Sequence, residues 1–496
     1  MNRNKSVITG FLWLLLSNAW TWGLSLIEVA IVPRILGPVN VGKLSLASSL
    51  ISAASIFVTF GGGAYIVRTI SAKPETGDRF LSAVLAYRTV VGVPIAIAIY
   101  FCMRIFVRDP LILSLLAITA MNAYLGWISD AVLMYRQAHT HFGTSARSQM
   151  IAKSMGVISR IGLVTHNMGP IGAAIGDSIQ GISGTASAWF ARSGKIHITS
   201  VNLDDIKALI SAGRPYFKYN FYLWVYGAPT TTYILVYWSG YESNGCFSVT
   251  MRLLGIFCMV PGMLVNVLMP LLVRAYESSM DEYVKLATRT ISTALVTGIP
   301  FSLLLLIQPS AILRALHYTA AFNDVALPLR IAGGYLLILW ASTYYGLLLI
   351  ACNRIDKQAH AAMIAAPFNL IITVALVILF HRQYHNGAAG AILAVAFTEL
   401  LVVSIYIHAL RDQPIVKPTL LALCRGFAAG IVPGVILCIP MTGRASFLCI
   451  FTLALVAFMP CALLTRAIRI EDIRPFMDVM RTKVQPKSDP PAPNAV

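Results

Sequence analysis

GPVNVGKLSLASSL, residues 37–50, aligns without gaps with GYESNGCFSVTMRL, residues 240–253. Gly37 and Gly42 match Gly240 and Gly245, Ser45 matches Ser248, and Leu50 matches Leu253. Each copy joins two long apolar stretches, and each glycine pair allows a tight outer turn into the second of them. A chain that makes one turn twice reads as two related halves, and parallel halves of six helices each would enclose a cavity between them.

Outward from these turns, the chain is 57% hydrophobic and only 12% charged over 496 residues, against about 25% charged for an average soluble domain. Apolar runs of about twenty residues, enough to cross a ~30 Å hydrocarbon core, recur between short polar breaks. Lipid offers the backbone no hydrogen bonds, so such runs are helices. The expected spans are 8–33, 44–66, 80–103, 111–134, 147–166, 170–190, 216–238, 246–272, 288–310, 327–350, 358–380, 387–409, 420–440 and 445–466. The fold class is therefore all-α, a polytopic membrane protein of about fourteen transmembrane helices. The first span runs past Trp20 and Trp22 to Arg34 with no small-residue cleavage site, as an uncleaved anchor does.

A formal charge of +18 raises the question of nucleic acid, and the positions of the basic residues answer it. With the N-terminus inside and the sides alternating, 27 of the 38 Lys and Arg fall in inner tails and loops, 8 in outer loops and 3 within spans. Arg68, Lys73, Arg79, Arg136, Arg147, Lys153, Arg192, Lys195, Lys207, Arg214 and Lys218 are among the inner ones. This positive-inside bias puts both termini in the cytoplasm, and no basic domain stands outside the membrane to bind nucleic acid. The eight cysteines lie singly in or beside apolar segments, as small apolar residues and not disulfides or zinc ligands. His381 and His385 have i, i+4 spacing but no acid or cysteine nearby to complete a metal set, so neither a metal nor a cofactor is expected.

The domain boundaries follow: an N-lobe at 1–192, a linker at 193–215, a C-lobe at 216–410, two further helices in 411–468, and a Pro-rich polar tail at 469–496 expected to be partly disordered. In the linker, Asn202 or Asp204 can cap a helix that carries Leu203, Ile206, Leu209 and Ile210 on one face and Lys207 on the other. It reads equally as an amphipathic helix on the inner membrane surface and as an ordinary linker helix.

The GFLWLLLSNAW first span, the ILGPVNVGKLSLASSL turn and the glycine-rich FGGGAYIVR that leads to the inner loop resemble those of polysaccharide (Wzx-type) flippases of the multidrug/oligosaccharidyl-lipid/polysaccharide superfamily. Val41 stands where many members have an aromatic before the glycine. The resemblance implies a bacterial inner-membrane protein of six plus six plus two helices. It further implies a flippase that moves an undecaprenyl-pyrophosphate-linked oligosaccharide from the cytoplasmic to the periplasmic leaflet, with a polysaccharide polymerase as a possible partner.

Seven charges fall within the expected spans: Glu28, Arg88, Asp130, Arg160, Asp177, Arg252 and Glu399. Each costs about 3 kcal/mol at a helix centre by insertion scales, so each needs a cavity or a partner. Guanidinium forks match an anionic pyrophosphate, which makes Arg252, Arg88 and Arg160 the substrate-binding candidates. Against that stands internal pairing, because Arg160 with Asp177 and Arg88 with Asp130 lie at similar depths on consecutive helices. Arg252 has no adjacent acid in its own lobe and is the first choice. Glu28, Glu399, Asp130 and Asp177 are ion-coupling candidates, since a buried carboxyl can be neutral for part of a cycle; a merely satisfied acid is the alternative. Arg34, Arg68 and Arg274, at span ends, fit snorkelling anchors.

Two other functions compete with this one. A cation-coupled multidrug antiporter of the same superfamily normally has twelve helices and carboxylate sites. A membrane glycan polymerase, ligase or glycosyltransferase needs an extramembrane loop with catalytic acids, and the largest outer one, around 311–326, offers only Arg314, His317 and Asp324.

Overall fold

The computed structural model describes residues 3–60, 66–67, 69–70, 74–139, 142–190, 196–225, 227–441 and 443–468. Arg68, Lys73, His141, Arg192, Lys195 and the tail from 469 lie outside the described residues. The fold is all-α, in the order α1 (Arg3–Thr59), α2 (Gly77–Phe106), α3 (Pro110–Ala138), α4 (Phe142–Leu163), α5 (Gly169–Trp189), α6 (Leu203–Val225) and α7 (Ala228–Ser278). Then come α8 (Met280–Ile307), α9 (Pro309–Ala315), α10 (Ala326–Ala351), α11 (Ile355–Tyr384), α12 (Gly387–Ala409), α13 (Val416–Ala429), α14 (Ile431–Leu437) and α15 (Arg444–Leu464).

Among the described residues, nine helices are long and apolar enough to cross a membrane, or ten if the bent pair α13–α14 is one span. Two of the nine are far longer than one crossing: the segment Leu16–Thr59 of α1 has 44 residues and Asn220–Val265 has 46, about 65–70 Å at 1.5 Å per residue. The count also omits α4, which carries Arg147, Lys153 and Arg160, and the Gly- and Ser-rich α5. The 43° bend between α13 and α14 falls at Gly430, one turn before Pro433, where the proline ring opposes the carbonyl of the preceding turn.

The two long helices break at the repeated glycines. Gly37 takes φ 76°, ψ 162° within α1, and Gly240 takes φ 82°, ψ −179° within α7. The glycines of each pair thus divide the work: only the first has positive φ, a region open to residues without a Cβ. The second stays helical and makes a contact. A Cβ on Gly42 would overlap the carbonyl oxygen of Tyr241, and a Cβ on Gly245 would overlap that of Pro38. Pro38 and Tyr241 are themselves equivalent in the repeat, so the two turns seat in one another reciprocally. Lipid supplies no hydrophobic drive between helices, and small residues that let backbones touch are what hold such a crossing.

Further bonds join the halves nearby. Asn244 Nδ2 donates to Gly42 O at 2.8 Å, Tyr318 OH to Val29 O at 2.6 Å, and Tyr233 OH to Ser49 O at 2.6 Å. One buried apolar cluster runs through both halves, from Val29, Val32 and Leu36 to Phe247, Val249 and Leu253. A separate cluster of Val296, Ile299, Ala429, Phe458 and Ala462 fixes α13 and α15 against α8.

The linker helix differs from expectation in extent. α6 runs from Leu203 through Pro215 to Val225 without a stop, so the linker and the start of the seventh expected span are one helix. Its apolar face is occupied by protein: Leu209 is buried with Leu81 and Val84, with Ile206 and Ile210 packed alongside, while Leu203 and Lys207 are exposed. Asp205, not Asn202 or Asp204, provides the cap, its carboxylate accepting the Asn202 N–H at 3.0 Å and pairing with Arg79 at 3.0 Å. That N–H and then Arg79 hold the Asp205 carboxyl below its usual range. The cap is therefore intact at neutral pH and lost only as pH falls through the depressed value. Replacing Asp205 with Asn is expected to loosen the helix start and to speed tryptic cleavage at Lys207. Equal cleavage rates would refute the pinning.

Candidate functional site

Six of the seven intramembrane charges meet in two groups. In the first, Arg88 lies on α2 with 1% of its side chain exposed; its Nη2 pairs with Asp130 Oδ2 on α3 at 3.1 Å, and its Nη1 donates to the carbonyl of Trp127. Both terminal nitrogens are taken by α3, while Nε is buried without a partner, so Arg88 acts here as a clamp between consecutive helices.

The second group is a network of five residues from four helices. Arg160 on α4 holds Glu28 of α1 through Nη1 and Asp177 of α5 through Nη2. Glu28 Oε2 also accepts from Lys153 Nζ at 2.7 Å, and its Oε1 lies 3.7 Å from Arg252 Nη1 on α7. Glycine again permits the geometry. A Cβ on Gly176 would overlap the backbone of Arg160, so α4 and α5 close tightly just where Arg160 meets Asp177. The turn between them carries Asn167 at φ 64° and Gly169 at φ 56°.

The pairings expected for Arg88 with Asp130 and for Arg160 with Asp177 are thus both present. Arg252 does find an acid, but in the other half of the chain. Its side chain is 35% exposed, and among the described residues its guanidinium donates no hydrogen bond. Three cations face two carboxylates, which leaves the network one positive charge in excess.

Lys153 is the residue whose partner sequence reasoning missed. Counted with the inner loops, it is 15% exposed and bonded to Glu28. The signal was available, because Lys153 and Arg160 are seven residues apart and therefore share a helix face. Arg136, also counted as an inner charge, is a helix cap: its Nε and Nη2 donate to the carbonyls of Ala188 and Trp189 at the end of α5.

A cavity of about 560 Å³ opens in the first half beside this network. Asp130, Lys153 and Asp177 line it together with Asn122, Gln149 and Gln180. Trp127 forms part of the wall, its indole N–H donating to Ser55 Oγ at 2.9 Å. A polar wall with an aromatic face and charges of both signs suits a hydroxylated solute better than an apolar one.

Glu399 stands apart on α12. Its Oε2 is buried with no hydrogen-bond partner, Ser342 is its polar neighbour, and among the described residues it has no ion pair. The two glutamates that look alike in sequence are therefore different: Glu28 is held by three cations and Glu399 by none. The eight cysteines are unbridged.

Comparison with known proteins now decides the family. The profile described as polysaccharide biosynthesis protein matches residues 7–276, the first half together with the second copy of the turn. The chain belongs to the polysaccharide biosynthesis protein family. No curated protein matches in sequence. Among solved structures, the lipid II flippase MurJ in an inward closed conformation superposes with a TM-score of 0.69 at 15% identity, covering 95% of this chain and 100% of that one. An inward-facing multidrug resistance MATE family transporter gives 0.54 at 16%, covering 82% and 96%, and an outward-facing one 0.52 at 13%, covering 83% and 96%. At such identities the likeness is one of fold, and the family member has the fold of these multi-pass transporters.

Proposed function

We propose that this family member flips an undecaprenyl-pyrophosphate-linked oligosaccharide repeat unit from the cytoplasmic to the periplasmic leaflet of a bacterial inner membrane, for exopolysaccharide, capsule or O-antigen assembly. The chain crosses the membrane fourteen times with both termini inside. α1 and α7 each supply two crossings on either side of their glycine, and α4 and α5 one each. Two six-helix lobes rock about their interface in alternating access, while the last two helices flank the second lobe.

One observation carries the substrate reading. Arg252 projects from the second half into contact range of a buried network that is otherwise neutral, so the positive excess there is its own charge, yet it spends none of its own hydrogen bonds there. An anionic pyrophosphate would take those donors and shift Arg252 away from Glu28. Arg160 is bound on both sides of its fork and would act indirectly, by setting the positions of Glu28 and Asp177; Arg88 stays a clamp. The polar cavity beside the network suits the sugars, the polyprenyl chain stays in lipid, and a polymerase acts on the delivered unit.

Replacing Arg252 with Ala is expected to lower polymer output about tenfold or more at matched protein level, the loss of a charge-assisted contact worth ~1.5–3 kcal/mol. Unchanged output at matched expression would sink the assignment. The direct test is reconstitution in liposomes with lipid-linked oligosaccharides, scoring their appearance in the opposite leaflet.

Glu399 favours a second element, ion coupling. A carboxyl without a cation partner among apolar helices is suited to carry a proton or a small cation through the cycle, whereas Glu28, Asp130 and Asp177 are already neutralised by their partners. The same feature underlies the competing reading of a cation-coupled multidrug antiporter. Liposomes that export cationic drugs while lipid-linked oligosaccharides stay in place would establish it instead.

A further inference from the structure

A second cavity, of about 390 Å³, lies between α8, α13 and the end of α15, well away from the charge network. Four basic residues line it, Lys285 and Arg289 from α8, Arg425 from α13 and Arg466 just after α15, against one acid, Asp281. The spacing explains the convergence. Asp281, Lys285, Thr288, Arg289 and Ser292 follow one face of α8, and Arg425 lies two turns beyond Pro418 on the face of α13 that meets it. Among the described residues, Lys285, Arg425 and Arg466 make no ion pair, so three separate elements bring uncompensated charge to one hollow.

Two hydroxyls point to what fills it. Thr288 Oγ1 and Ser292 Oγ are buried with no hydrogen-bond partner, and both belong to residues of this wall. Unpaired buried donors beside a cationic rim are the complement of an oxyanion with several acceptor oxygens. On the outer side the cavity is bordered by Leu421, which is half-exposed like its neighbour Leu420, a surface made for acyl chains. The turns that frame the cavity lie at the end of the bundle that the positive-inside distribution puts in the cytoplasm.

We propose that this cavity is a binding site for the phosphodiester headgroup of an anionic phospholipid of the inner leaflet, with its acyl chains along α13. Basic pockets between membrane helices on the cytoplasmic side are the general form of such sites. The lipid is bound at a place separate from the transported molecule and ties the last two helices to the second lobe through α8. This inference does not depend on the identity of the cargo.

The test uses the purified full-length protein in mild detergent. Thermal unfolding is followed with added phosphatidylglycerol, cardiolipin, phosphatidylcholine or inorganic phosphate. Lipids retained on wild type and on Lys285→Ala are counted by native mass spectrometry; Lys285 is exposed, so its loss leaves the fold alone. Phosphatidylglycerol or cardiolipin should raise the unfolding temperature, phosphatidylcholine and inorganic phosphate should not, and an Arg425→Gln variant should lose most of the shift. Lys285→Ala should retain one anionic lipid fewer. A shift reproduced by inorganic phosphate overturns the lipid as the source. Equal shifts with phosphatidylcholine, or equal lipid retention by wild type and Lys285→Ala, overturn the site.

Discussion

Arg160→Met is expected to be the most destabilising single change in the membrane region, costing about 3–5 kcal/mol, the range for breaking a buried ion pair by removing one partner. The reason is specific to this arginine. Its two terminal nitrogens hold carboxylates from different helices, so one substitution leaves Asp177 without its cation and Glu28 with only Lys153 at 2.7 Å and Arg252 at 3.7 Å. Removing charge from both sides, as in Asp177→Asn combined with Arg160→Gln, should recover part of the loss, because Glu28 keeps Lys153 and no carboxylate of the network is left without a cation. Thermal unfolding in detergent checks both variants. If Arg160→Met unfolds at the wild-type temperature, Lys153 and Arg252 suffice for Glu28 and the network is not the structural centre described here.

The second large effect is expected at Gly42 and Gly245. In most crowded glycine sites a rotamer change absorbs the new methyl group, but here the obstacle is backbone, the carbonyls of Tyr241 and Pro38, so α1 and α7 must separate. Gly42→Ala and Gly245→Ala should each cost at least the ~1–3 kcal/mol of an overpacked core and should depress transport further by loosening the interface about which the halves move. Gly37→Ala and Gly240→Ala make the control. Nothing lies within 4 Å of a Cβ at either, so only the backbone is penalised, by about 1–3 kcal/mol for a side chain held at positive φ with extended ψ. Stability and transport measured on all four variants decide the matter. Greater damage at Gly37 and Gly240 than at Gly42 and Gly245 would overturn the packing account.

How much of this was readable in sequence depends on range. Apolar runs of membrane length are a local signal, and among the described residues helix is found in each stretch where one was expected. The repeated glycines were also visible, but both members of a pair look like turn residues in sequence. Only the packing of α1 on α7 separates the one that bends from the one that touches.

Acids and bases on consecutive helices could be matched by depth, which is why Asp130 for Arg88 and Asp177 for Arg160 were foreseen, whereas Glu28, the other partner of Arg160, was not. Glu28 and Arg252 are 224 positions apart, in different halves, and no local pattern links them. Lys153 was hidden by a rule that is statistical: positive charge gathers near inner helix ends, and one lysine at such an end is spent on a buried carboxylate instead. α6 runs on through Pro215 because the packing of Leu209 and its neighbours outweighs a local breaker.

The repeat has one further consequence, for stoichiometry. The turn, its bending glycine and its touching glycine are each present twice, yet the position of Arg252 in the second copy is occupied by Ser49 in the first. Ser49 is bound instead as an acceptor, its carbonyl taking the hydroxyl of Tyr233. Under the proposed function, duplication gives two equivalent turns but a single arginine placed between the halves to meet the cargo's pyrophosphate, and a flippase so built would load one such headgroup per cycle.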